Sequence, residues 1–208
     1  MSALRFSSLI ILFPILFAAC GRSELIRIRM LAPVNEDKKD HAIFTDTESL
    51  SFTPTITNKQ IGGSLYFLFK SIGLGYTTIT TKMEKTDENL TEKTTLVTNF
   101  ADVAFGIGEN YSFMWGAGVL SGGKMETSLN SFNPKNNYLG GHSIFFVLGH
   151  HGFGFETLLG YRTNFIKAEF EEIGLPSTVG KTDENFTYES NKINLTTSQV
   201  QLGIGFTF

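Results

Sequence analysis

His142, Ser143 and Glu156 are residue types from which a hydrolytic site is assembled: a base, a nucleophile and a carboxylate to orient the base. Their spacing works against that chemistry. Neighbouring residues of a strand point to opposite faces, so His142 and Ser143 would not meet one substrate. Glu156 follows a tight turn while His142 lies toward the far end of its segment, and a rise of ~3.3 Å per residue keeps them apart. His150 and His151 are the candidates for metal ligation, but adjacent histidines diverge and no cysteine or carboxylate accompanies them at ligand spacing. His150-His151-Gly152 is therefore expected to be a solvated turn, and neither a metal nor a cofactor is expected. Asp102, Glu156 and Arg162 stand among apolar neighbours, where they are expected to face an interior and fill it with a polar network.

Cys20 is the only cysteine, so no intramolecular disulfide is available. It directly follows Ala18-Ala19 and an apolar run from Leu9, with Arg5 upstream. That order is a secretory signal segment over residues 1–19, too short to anchor in a membrane. The boundary resembles a bacterial lipobox, which makes Cys20 the candidate for lipidation. Phe17 departs from the smaller aliphatic residue that the motif prefers.

Seventeen basic and twenty acidic residues give a formal charge of -3 with no basic block, which leaves no electrostatic footprint for nucleic acid. Only 18% of the 208 residues are charged, below the quarter or so usual in soluble domains, while Phe numbers 20 and Gly 21. No mature segment reaches the ~20 apolar residues of a membrane-crossing helix. What positions the residues above must be built from strands.

From Ile61 onward large and small residues alternate. Ile61, Leu65, Phe67 and Phe69 share one face against Gly62, Ser64 and Lys70. Ile72, Leu74 and Tyr76 oppose Gly73 and Gly75. Val97, Val103, Phe105 and Ile107 oppose Thr98, Asp102 and Gly106. Tyr111, Phe113, Trp115 and Val119 oppose Ser112, Gly116 and Gly118. Phe153, Phe155, Leu159, Tyr161 and Phe165 oppose Glu156, Gly160, Arg162 and Asn164. Tyr138–Gly149 is apolar on both faces, so its orientation stays open. A soluble barrel would bury the large face and display charge. Here the small face carries Gly, Ser, Thr and the rare charges, the distribution of a narrow barrel that is apolar outside and filled inside. Trp115 and the tyrosines are candidates for an interfacial girdle.

Connections alternate in length. Lys70–Ser71, Gly108–Asn110 and His150–Gly152 are short; Met83–Lys93, Ser128–Asn137 and Glu172–Thr196 are long and polar. Seven strands can be placed and an eighth must lie upstream, in Leu25–Leu31 or Glu48–Thr57. Arg27 and Arg29 would have to face the lumen in the first; Pro54 weakens the second. The domain expectation is a signal at 1–19, a tether at 20–59 that can contain the first strand, and the barrel at 60–208.

The last segment places Val200, Leu202, Ile204, Phe206 and Phe208 on one face and ends in that phenylalanine. This resembles the assembly signal of outer-membrane β-barrels. From about residue 25 the chain is similar in outline to the small eight-stranded barrels of the OmpA and OmpX type. The resemblance implies an all-β, antiparallel, up-and-down transmembrane barrel of about eight strands, short turns on the periplasmic side, and outer-membrane lipids and the assembly machinery as partners. A soluble periplasmic lipoprotein with a closed β-barrel is the alternative fold.

A repeat accompanies this pattern. Leu74-Gly75-Tyr76-Thr77, Lys85-Thr86-Asp87-Glu88-Asn89-Leu90-Thr91 and Gly106-Ile107-Gly108 return as Leu159-Gly160-Tyr161, Lys181-Thr182-Asp183-Glu184-Asn185-Phe186-Thr187 and Gly203-Ile204-Gly205. Two hairpins with one start, loop and end in the same order point to hairpin duplication. Lys85–Asn89 and Lys181–Asn185 are the candidate surface loops for an external ligand, with simple solubility as their other role. The functional expectation is a monomeric, non-enzymatic barrel with a structural or surface-contact role, adhesion or ligand binding. A narrow solute channel is the alternative. A lipid-modifying enzyme, similar to the lipid A deacylase barrels in its His, Ser and Glu, is the third reading, opposed by the strand geometry.

Overall fold

The computed structural model describes residues 26–34, 55–86, 91–129, 135–152, 154–170 and 192–208. Eight strands run in chain order: β1 (Ile26–Pro33), β2 (Thr55–Phe69), β3 (Ile72–Thr86), β4 (Thr91–Ile107), β5 (Tyr111–Leu129), β6 (Asn136–Gly152), β7 (Phe155–Phe170) and β8 (Lys192–Thr207). Each pairs antiparallel with the next, and β1 closes on β8 from Arg27↔Thr207 to Pro33↔Gln201. The chain is thus an all-β, up-and-down, eight-stranded closed barrel.

Period-two patterning sets the faces. Along β6, Ser143, Phe145, Val147 and Gly149 are buried while His142, Ile144, Phe146 and Leu148 are exposed, which settles the segment with two apolar faces. On β8, Leu202, Ile204, Phe206 and Phe208 all point out, with Gln201 and Gly205 inside. The turn β2–β3 has Lys70 at φ 55, and the turns after β4 and β6 have Gly108 at φ 94 and Gly154 at φ 86, a region glycine enters without steric cost.

Several boundaries differ from the sequence reading. The first strand is Ile26–Pro33, so the barrel starts inside the expected tether, and β2 begins at Thr55 rather than at 60. Thr55–Thr57, read as part of an alternative first strand, belongs to β2. The expected loop Met83–Lys93 is mostly ladder: pairing continues through Met83↔Thr94 to Thr86↔Thr91, and Lys85 and Thr86 lie in β3. Ser128–Leu129 belong to β5, Asn136–Asn137 to β6 and Lys192–Thr196 to β8. Threonine- and lysine-rich segments that rise above the apolar belt lack the alternation of large against small residues and so imitate loops. His150-His151-Gly152 is the end of β6, paired to Thr157, Glu156 and Phe155, because the reversal falls later, at Gly154. Residues 1–25 with Cys20, Asp87–Asn89 and Lys181–Asn185 lie outside the described residues.

β5 carries a bulge. Asn99 pairs with Gly122 and Phe100 with Leu120, so Ser121 is the extra residue. An extra residue flips the alternation. Below it Ser112, Met114 and Gly118 are buried; above it Met125 and Thr127 are buried instead.

Candidate functional site

Arg27 and Arg29 share the inward face of β1 with Leu31, and Glu156 sits inside β7 opposite Gly205. The Arg29 guanidinium presents one edge to Glu156, Nε to Oε2 at 2.8 Å and Nη2 to Oε1 at 2.8 Å. Nη2 also donates to Ser112 Oγ at 2.7 Å, and that hydroxyl donates to Glu156 Oε1 at 3.1 Å. Arg27 Nη1 stands 4.0 Å from Glu156 Oε1, and its Nη2 donates to the Gly108 carbonyl at 2.7 Å. This cluster fills the barrel at its turn end.

Above it lies an apolar layer of Leu31, Tyr66, Leu68, Met114, Phe145, Val147 and Leu158. A second ionic cluster follows. Arg162 grips Asp102 with two bonds, Nη1 to Oδ2 and Nη2 to Oδ1, each 2.9 Å. Its Nε donates to Asn164 Oδ1 at 2.9 Å, Nη1 also reaches Tyr66 Oη at 3.2 Å, and Nη2 donates to Ser143. Thr77 donates to Asp102 Oδ2 at 2.6 Å and lies 3.0 Å from Ser64 Oγ. The rings of Phe100 and Phe145 flank the guanidinium at 4.7 and 5.3 Å. Gly118 is glycine because a Cβ there would collide with the Asp102 carboxylate. A buried charge persists only when paired and hydrogen-bonded, and Arg162 meets both conditions.

Gln60, Gln199 and Gln201 also point inward; Gln201 donates to Ser64 Oγ at 3.2 Å beside the Arg162 cluster, and both side-chain polar atoms of Gln199 lack a protein partner. A second apolar cluster then closes the lumen: Met83, Leu96, Met125, Ile166, Phe170 and Leu195, with Leu139 packed against it. The interior alternates ionic and apolar layers, an arrangement suited to holding a barrel together.

The expected lumen residues Asp102, Glu156 and Arg162 are all inside, at 2, 0 and 0% exposure, but in two separate clusters. The sequence reading did not identify Arg29 as the partner of Glu156. The signal was the odd-numbered arginines of the Leu25–Leu31 candidate, whose lumen orientation looked like an objection to that strand. The three residues whose spacing argued against a triad are placed apart. His142 is on the outer face against Phe165 (5.0 Å between ring centroids), Ser143 is inside bonded to Arg162, and Glu156 is in the turn-end cluster. His150 is exposed beside Tyr111 at 4.9 Å, and His151 stands across the ladder from Glu156. Among the described residues no three His, Cys, Asp or Glu side chains converge as metal ligands. Tyr76, Tyr111, Tyr138 and Tyr161 are exposed on the outer face, and Tyr66 is buried in the lumen.

The outside is apolar over most of the barrel height. Leu74 is 69%, Val119 62%, Ile72 55% and Ile144 54% exposed. Toward the loop end the outward residues become Lys82, Glu84, Lys93, Lys124, Glu126 and Lys167. Glu84–Lys93 (3.0 Å) and Lys124–Glu126 (2.8 Å) are exposed ion pairs in this collar.

No family model matches the sequence, and no curated protein matches it. Among solved structures, the outer membrane protein OprG from Pseudomonas aeruginosa is similar, with a TM-score of 0.40 and 10% identity, over 90% of this chain and 98% of that one. The fold assignment rests on the closed hydrogen-bond ladder.

Proposed function

We propose that this chain is an integral outer-membrane β-barrel that anchors and presents polar surface at its loop end, with a structural or surface-contact role. The observation that carries the reading is the exposed apolar belt. In a soluble protein a contiguous patch of more than a few hundred Å² marks a contact surface, and this one involves outward residues of all eight strands. Hydrocarbon is the solvent that fits it. Closure supports the same reading, since a bilayer supplies no partner for an edge and each unmatched backbone group costs several kcal/mol. The short turns lie together at one end and the long connections at the other, as in barrels whose turns face the periplasm.

Display is favoured over conduction by the filled lumen: two ionic clusters and two apolar layers occupy its length. Eight strands leave an interior that side chains just fill. The chain works as a monomer in this account, and adhesion or capture of an external ligand falls to the charged collar and the connections above it. Single-channel recording on the purified barrel tests the choice: a silent bilayer is expected, and stepwise conductance would favour the channel. Lipidation of Cys20 adds a second tether upstream of β1. Palmitate labelling is expected in the parent protein and lost in Cys20→Ala, with folding of the barrel unchanged; an unlabelled parent protein would remove the tether.

A further inference from the structure

Lys59 and Lys82 stand directly opposite each other on the outer face of the β2–β3 ladder, and both are exposed. Residues paired in this way have Cβ atoms about 4.5–5.5 Å apart, and like charges at that position destabilise a sheet. The neighbouring carboxylates do not relieve the pair. Glu84, two places above Lys82 on β3, holds Lys93 at 3.0 Å, and Glu126 holds Lys124 at 2.8 Å. Among the described residues neither Lys59 nor Lys82 has an ion-pair partner.

The two lysines also mark a boundary. Two places below Lys59 on the same face, Ile61 is 52% exposed, and Leu65 continues the row with Tyr76 opposite it on β3. Below Lys82 the outward residues are first Thr80, which faces Ile61 across the ladder, and then Thr78. A spacing of two residues is about 7 Å along a strand, so Lys59 stands one side-chain length above the apolar belt. A lysine in that position keeps its methylene stem on apolar surface and its ammonium in the wet layer above.

We propose that Lys59 and Lys82 clamp the phosphate of an anionic lipid, whose acyl chains lie below against Ile61, Leu65 and Tyr76. The proposal deepens the membrane reading above and rests on it for the source of the ligand, because that reading puts the two ammonium groups at headgroup level. An anion between them converts a repulsion into two charge-assisted contacts. The apolar row beneath selects a phosphate that carries chains. Two exposed lysines alone hold a free anion weakly, whereas a lipid adds apolar contact on the same strands.

Native mass spectrometry of the folded full chain, released from detergent with dipalmitoyl phosphatidic acid, dipalmitoylglycerol or inorganic phosphate, tests this directly. One saturable phosphatidic acid adduct is expected. Its affinity should fall about tenfold in the double variant Lys59→Gln/Lys82→Gln, and dipalmitoylglycerol should bind the parent about tenfold more weakly, the scale of one lost charged contact. Lys124→Gln removes a lysine already held by Glu126 and should change affinity by less than about twofold. All three lysines are exposed, so the variants leave the core intact. In neutral detergent without lipid, the double variant should have a urea midpoint no lower than the parent's, since it relieves a like-charge pair. The proposal is overturned by the absence of a saturable adduct, by equal affinity in parent and double variant, or by an equal loss in Lys124→Gln. A lower midpoint for the lipid-free double variant would overturn it too, by showing the lysines already satisfied. Inorganic phosphate binding as tightly as phosphatidic acid would make this a free-anion site and overturn the lipid assignment. These readings use purified protein and do not depend on where the chain resides; the membrane reading stands or fails separately, by fractionation.

Discussion

At the scale of single residues, the Arg162–Asp102 pair is the contact whose loss should cost most. Both side chains are fully buried, and removing one partner of such a pair leaves an uncompensated charge, at a cost of about 3–5 kcal/mol. Asp102→Ala should therefore lower the urea midpoint of the refolded barrel far more than Glu84→Ala in the exposed Glu84–Lys93 pair, where the effect should stay below about 1 kcal/mol. The double variant Asp102→Leu/Arg162→Met should lose less than Asp102→Ala, since no lone charge remains. Gly118→Val should cost about 1–3 kcal/mol by driving a side chain into the same carboxylate. Equal midpoints for Asp102→Ala and Glu84→Ala would mean that the cluster is solvated. These residues were legible in part. Period two put Asp102 and Arg162 inside, but parity says only which face a residue takes. It does not say which height it reaches, so the split into two clusters, with Arg29 holding Glu156, needed the register between distant strands.

Elements were legible where their two faces differ. The aromatic–glycine alternation of β7 and β8 marked them plainly. β3 was ended at Thr77 and β4 begun at Val97 in the sequence reading because the flanking segments Thr78–Met83 and Thr91–Leu96 carry threonine on both faces with only isolated apolar residues, and β1 was doubtful because its inward face carries two arginines. The bulge in β5 left no readable mark beyond Gly122-Gly123, since one added residue changes the pairing without changing composition. β8 is the strand whose pairing with β1 completes the ladder, from Thr207↔Arg27 to Gln201↔Pro33. Deleting Phe208 should reduce the folded, heat-modifiable fraction while export continues, whereas replacing Glu88 or Asp183 should not. A truncated protein that reaches wild-type folded levels would contradict an assembly role for that end. Parity also predicts that tags inserted in Lys85–Thr91 and in Lys181–Thr187 lie on the same side: both connect an odd strand to the next even one, β3 to β4 and β7 to β8. Antibody should reach both on intact cells, and access to only one would break the topology.

For the whole molecule, the decisive property is the inversion of a soluble barrel: large apolar side chains cover the outer belt, while paired charges and hydroxyl groups lie within, between apolar layers. That inversion could be read from the sequence because it is a property of faces, whereas a ligand or partner depends on which side chains the register brings together in the three-dimensional collar. Alkaline carbonate extraction of separated membranes tests the central claim most directly. The chain should sediment with the outer-membrane fraction, resist extraction and migrate as a heat-modifiable band. Release into the soluble fraction, with no lipid anchor at Cys20 to account for prior sedimentation, would contradict a barrel that spans the membrane.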